Sequence, residues 1–299
     1  MVKRKRGKNK LIFIIIIAII ILISALVIQN IFKKDIGLSP SQPTQVRVGV
    51  GNANPSITNL QAIPNVNLNP SPSTTSVSVV FTARDSNGAD DLVDSSASAQ
   101  FTNAGEPTRT GTCTVQSSAS KEKTYQCPVS MNYFDKSGSW TVTVSAADTQ
   151  SATATSSSTF TVNLLRDISI NPTAINFPSV APGQTNVLST EQTTIINNGN
   201  FVAPPGTISA LSYDLIGETN PAESIPAANF KIAKSSVDVC GLGDSLVATA
   251  QTTLTSSTLP RGASGSNTET ISYCLTSVPE ISSQFYSATG GSSWVISIN

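Results

Sequence analysis

Asp85, Asn87, Asp90, Asp91 and Asp94 crowd into one short stretch, DSNGADDLVD (85–94), the densest group of potential ligands in the chain. Carboxylates and an amide carbonyl around a glycine turn are hard oxygen donors, which calcium takes in sets of about six to eight. Asp85, Asn87, Asp90 and Asp91 are therefore the candidate calcium ligands, and no other cofactor is expected. The spacing is not that of an EF-hand loop, and Asp, Asn and Gly are also the ordinary punctuation of hairpin turns. Both readings stand. Asp148 joins the group only if loops distant in sequence meet at one end of a domain.

The chain has four cysteines and no histidine. A mixed Cys/His zinc site is thereby excluded, and Ser-His-Asp or Cys-His machinery lacks its base. Ser235 and Ser236 stand beside Lys234, but no nucleophile elbow or oxyanion hole marks them. Gly241-Leu242-Gly243-Asp244 lacks the strand-to-helix context of a phosphate loop. The expectation is that the chain is not an enzyme. Cys113 and Cys127 bracket a segment symmetric about Ser120, so a hairpin turning there would bring them face to face. With Cys240 and Cys274 they form two candidate disulfides in an oxidising compartment, free buried cysteines being the other reading. Loops of these lengths would contribute about 3 and about 4 kcal/mol by chain entropy.

The element that places this chemistry is the run LIFIIIIAIIILISALVIQNIF (11–32), 22 uncharged residues. As a helix it is ~33 Å long, matching a bilayer's hydrocarbon core. Six basic residues (Lys3, Arg4, Lys5, Arg6, Lys8, Lys10) precede it and two (Lys33, Lys34) follow. That asymmetry keeps residues 1–10 cytoplasmic and puts everything after the helix outside, a single-pass protein of the cell membrane whose bilayer contact is residues 11–32. A cleaved signal peptide is a rival, although the run is long for one and Ile23-Ser24-Ala25 is a poor cleavage site. Arg6-Gly7 ahead of the helix also resembles the processing site of archaeal pilins and archaellins. The acidic or glutamine-bearing start of many such proteins is missing. Residues 35–299 carry ten basic and eighteen acidic side chains. Such a body lacks the basic clusters that nucleic acid requires, so no nucleic-acid partner is expected.

Residues 33–55 read as a linker, with Val46, Val48 and Val50 spaced for a short strand. Beyond Ser56, apolar and polar residues alternate in short runs broken by Gly, Pro, Asn and Ser: 57–63, 76–84, 96–102, 112–118, 123–130, 139–147 and 153–163. Each fits a strand with one buried face. The fold class is all-β: two tandem Ig-like β-sandwich domains, 56–163 and 164–299, behind a single transmembrane α-helix. In the second, strands are expected at 210–216, 229–239, 269–276 and 293–299, and no helical period is sustained after residue 34.

Two motifs resemble known families. YFDKSGSWTVTVSAAD (133–148) and ARDSNGADDL (83–92) resemble the penultimate strands and second-strand turn of PKD-type and related Ig-like domains. ISINPTAINFPSVAPG (168–183) with TTIINNGN (193–200) is similar to the opening of Ig-like sandwiches of the abnormal-spindle/hydin type. These resemblances imply extracytoplasmic sandwiches and no activity; with the isoleucine-rich anchor, the whole resembles archaeal-type surface proteins. The function expected is a membrane-anchored structural or adhesion protein with a protein or glycan partner outside the cell. The alternatives are a pilin-like filament subunit cleaved after Gly7 and a carbohydrate-binding module. For the last, Trp140, Tyr133, Tyr273, Phe285, Tyr286 and Trp294 are the candidate stacking rings, with packing in the core as their commoner use.

Overall fold

A computed structural model describes residues 6–32, 45–288 and 293–299. Residues 1–5 of the basic tail and 33–44 of the linker lie outside it. The chain forms two compact units, Met1–Gly51 and Asn52–Asn299.

In the first unit, helix α1 spans Arg6–Phe32. Its stretch Ile12–Gln29 is long and apolar enough to cross a membrane, and none of it is buried against protein. Apolar side chains cover every side rather than one stripe, which suits lipid or a signal sequence and not the flank of a soluble core. The alternation at Val46, Val48 and Val50 makes no strand. These side chains are 82%, 82% and 86% exposed, so the pattern has no buried face.

The second unit begins with eight antiparallel strands: β1 (Ser56–Leu60), β2 (Thr74–Arg84), β3 (Leu92–Thr102), β4 (Arg109–Thr112), β5 (Thr114–Ser118), β6 (Glu122–Asn132), β7 (Gly138–Asp148) and β8 (Thr153–Val162). They form two four-stranded sheets, ordered β1-β2-β6-β5 and β4-β3-β7-β8. Period-two alternation decides the burial. Val77, Val79 and Phe81 of β2 stand opposite Val129, Cys127 and Tyr125 of β6. These residues meet Ala99 and Phe101 of β3 and Trp140, Val142 and Val144 of β7 in one core shared by both sheets. Aromatic pairs set the layers, with Phe81 stacked on Tyr125 at 5.3 Å and Phe101 tilted on Phe160 at 4.7 Å.

Cys113 sits where the chain leaves one sheet for the other, between β4 and β5. The β5–β6 register pairs Thr114 with Gln126, so Cys113 falls opposite Cys127. Their Cα atoms are 4.1 Å apart and the sulfurs are bonded. At β4 the sheets approach so closely that a Cβ on Gly111 would lie 2.4 Å from the Pro128 carbonyl oxygen, leaving room for glycine alone.

The remaining strands are β9 (Ile168–Asn171), β10 (Thr185–Leu188), β11 (Thr193–Asn197), β12 (Ile208–Leu211), β13 (Leu215–Gly217), β14 (Ser224–Ile225), β15 (Phe230–Lys234), β16 (Asp244–Ser245), β17 (Gln251–Thr253), β18 (Thr268–Ser277), β19 (Tyr286–Ser287) and β20 (Val295–Ile298), with a helical turn α2 (Val239–Leu242). The largest sheet runs β16-β15-β18-β11-β9, with β10 also on β18; β17-β12-β20 and β14-β13-β19 form two small sheets. This half of the body thus carries three sheets of unequal size. A separate core collects Ile195, Ile208, Phe230, Ile232, Leu254 and Ile271. Phe230 is flanked edge-on by Phe177 and Trp294. Cys240 on α2 is bonded to Cys274 of β18. Non-reducing peptide mapping is expected to recover Cys113 with Cys127 and Cys240 with Cys274. Reduction should cost about 2–4 kcal/mol per bridge; free thiols at all four positions would contradict the structure.

The two cores are joined at a polar seam. The Asn200 amide accepts from Leu165 N (2.7 Å) and donates to the Asn163 carbonyl (2.9 Å), gripping the connecting segment from both sides. A Cβ on Gly199 would lie 2.2 Å from the Leu165 carbonyl oxygen, so the Asn-Gly-Asn turn fits there only because its middle residue has no side chain. The Arg261 guanidinium donates to both carboxylate oxygens of Glu106 (2.9 and 2.6 Å) and to the Phe134 carbonyl. The Asn267 amide reaches Tyr133 Oη at 3.5 Å.

Candidate metal centre

Three carboxylates converge at one end of the first pair of sheets. Asp85 follows the last residue of β2, Asp91 closes a single 3₁₀ turn (Ala89–Asp91) before β3, and Asp148 ends β7. Because β3 starts where antiparallel β2 and β7 finish, strand direction alone brings their termini together. Leu92 pairs with Asp148. One oxygen of each carboxylate lies within 4.8 Å of one from each of the others.

Turn chemistry fixes each carboxylate. Asp85 Oδ1 accepts from Asn87 N at 2.7 Å. Asp148 Oδ1 accepts from Gln150 N (3.0 Å) and Ala152 N (2.8 Å), and its Oδ2 accepts from the Asn52 amide at 2.8 Å. The Asn52 amide, with the backbone N–H groups of Ala152 and Gln150, holds the Asp148 carboxyl below the usual carboxylate range, although its burial opposes this. Asp91 Oδ1 accepts from the Thr149 hydroxyl. Asp85 and Asp148 are buried, and Asp85 Oδ2 has no hydrogen-bond partner among the described residues.

The neighbouring groups face elsewhere. Asp90 is exposed, because the 3₁₀ turn points Asp91 inward and its predecessor out. Asn87 Oδ1 accepts from Ala53 N at 2.7 Å, which makes it a clasp on the incoming chain. Asp94 accepts from Lys123 Nζ (2.7 Å) and Tyr125 Oη (3.0 Å) on β6. Burial, helped by that carboxylate, pushes the Tyr125 hydroxyl far above its ordinary pKa. Of the four ligands read from the local stretch, the structure therefore brings Asp85 and Asp91 together. It adds Asp148, which sequence offered only as a distant partner, and Asn52, which no sequence signal marked.

Other sequence candidates have structural employment. Lys234 Nζ donates to Glu269 at 2.9 Å beside Ser235 and Ser236. Trp140, Tyr133 and Tyr273 are buried, and Tyr286 and Trp294 are half-buried; Phe285 is the one of the six rings that stands in solvent, 81% exposed. Gly241-Leu242-Gly243-Asp244 closes α2, where Asp238 caps Gly241 N.

No family model matches the chain, and no curated protein matches it. Among solved structures it is similar to the secreted serine protease VesC from Vibrio cholerae, at 8% identity and a TM-score of 0.19 over 74% of this chain. The alignment spans 47% of that chain, less than half its length. The expectation that this chain is not an enzyme finds no support in these comparisons and is not carried further. A TM-score so low supplies neither a fold nor an activity in its place.

Proposed function

We propose that this chain is a membrane-anchored display protein. Helix α1 is its permanent anchor, residues before it are cytoplasmic, and the β body stands outside as two Ig-like modules with a structural or adhesive role. One observation carries the reading: a helix apolar on every side precedes a β body whose four cysteines are all bonded in pairs. Disulfides persist in oxidising compartments, and a body on the far side of a bilayer is in one. The basic residues ahead of the helix favour that orientation.

Strand β5 supports an interaction role. It lies at the edge of its sheet with all five residues exposed. Its outer backbone groups are available for an added strand from a partner.

The test is the intact mass of the protein extracted from its native membrane after carbonate washing. A retained, full-length chain is the expected result. A chain shortened by residues 1–7 would move it to the filament subunits, and loss of the whole helix would make it a secreted protein.

A further inference from the structure

We infer that Asp85, Asp91 and Asp148 bind a single calcium ion, and that this ion fastens the point where residues 52–53 join the β body. The inference does not depend on the display reading, since it rests on the geometry of the second unit alone.

Three carboxylate oxygens stand within 4.8 Å of one another. Among the described residues no lysine or arginine forms a salt bridge with any of the three: nearby Arg84 pairs with Glu122 and Lys123 with Asp94. Like charges so close repel strongly in a poorly hydrated site, and a cation is the direct remedy.

Asp85 is fully buried, and its Oδ2 has no hydrogen-bond donor among the described residues. A desolvated carboxylate oxygen without a hydrogen bond is costly, and such atoms in folded proteins ask for a missing partner. An ion between the three carboxylates supplies that partner. Asp85 Oδ1, both Asp148 oxygens and Asp91 Oδ1 are already held by backbone and side-chain donors, so the ligands are oriented before any ion arrives.

Donor chemistry selects the ion. The set is oxygen only: the chain has no histidine, and both cysteine pairs are in disulfides. Oxygens on opposite sides of a calcium ion are separated by about 4.6–5.2 Å, which the cluster accommodates. Asp91 is half-buried and Asn52 exposed, so water can complete the irregular shell that calcium tolerates. Asn52 already lies against Asp148 Oδ2, and turning its amide over would present its oxygen to the same ion. Asn87 holds Ala53 N in the same loop cluster. Calcium would thus close a ring of contacts around the incoming chain.

The experiment uses the full-length protein in detergent, stripped with a calcium chelator and titrated with calcium or magnesium. Saturable binding of one calcium per chain, a raised thermal midpoint and slower proteolysis within residues 45–55 are expected. Asp91→Asn should weaken binding by about tenfold or more, whereas Asp90→Asn should leave it unchanged. Asp85→Asn separates a metal site from a merely structural cluster. It should abolish the calcium response while raising the midpoint in chelator, because the new amide can donate into the acidic group. No saturable calcium binding by the folded wild type, or an equal response to magnesium, would overturn the inference. So would an Asp85→Asn protein that still responds to calcium.

Discussion

Trp140→Ala is expected to destabilise the β body by about 3–5 kcal/mol, the range for deleting a large buried aromatic side chain. Trp140 is fully buried at the centre of the shared core, and its indole N–H donates to the Lys136 carbonyl at 2.7 Å. Truncation therefore opens a cavity and leaves a carbonyl without its donor. Since domains are stable by only about 5–15 kcal/mol, this one change removes a large share of the total. Trp140→Phe keeps most of the volume and loses the N–H, so a cost nearer 1–2 kcal/mol is expected. The chain has two tryptophans, and Trp294 lies in the other core. In either variant Trp294 fluorescence reports the second core alone, while circular dichroism in urea reports the whole. Wild-type stability in Trp140→Ala would contradict the packing.

Arg261→Ala is expected to cost about 2–3 kcal/mol and to uncouple the two cores, somewhat less than the ~3–5 kcal/mol of a fully buried pair. The side chain of Glu106 is 6% exposed and that of Arg261 is 20% exposed, so truncation leaves a largely buried carboxylate without its cation. The hydrogen bond from Arg261 is the main reason the Glu106 carboxyl is held below the usual range, against the upward push of burial. A carboxyl depressed by folding stabilises the protein fully above its unfolded pKa of about 4.3. That contribution is lost as pH falls through the lower folded value. Acid titration of the wild type should therefore weaken the seam below about pH 4, and Glu106→Gln should flatten that part of the profile. Two separate unfolding transitions in Arg261→Ala, in place of one, would show the uncoupling. An unchanged single transition would contradict the seam's role.

The first sheets were legible because their strands bury one face. Residues 76–84 and 123–130 alternate cleanly and form most of β2 and β6. The run 112–118 reads as one strand but breaks at Cys113, where the chain crosses between sheets; β5 is exposed on both faces and carries no burial signal. In the second half, 210–216 splits into β12 and β13, which belong to different sheets. The break follows from polar anchoring: Ser212 Oγ donates to the Val247 carbonyl, and Asp214 accepts from Ala227 N. The run 229–239 stops as β15 at Lys234, because Asp238 caps the turn into α2. Partners remote in sequence decide both outcomes, and local alternation cannot contain them.

The acidic site shows the same division. The stretch 85–94 was visible as a ligand-rich turn, yet a one-residue step in a 3₁₀ turn separates inward Asp91 from outward Asp90. Asp94 leaves the group because β6 brings Lys123 and Tyr125 to it. Asp148 and Asn52 arrive through strand termini far away in sequence, a matter of topology.

The reading proposed above keeps helix α1 in the membrane and the β body outside the cell. Protease treatment of intact cells, followed by mass spectrometry of the membrane fraction, tests it most directly. Residues of the β body should be cut or released without lysis, while a fragment containing Ile12–Gln29 stays in the membrane. A β body that survives intact until the cells are broken, and is cut only then, would contradict it.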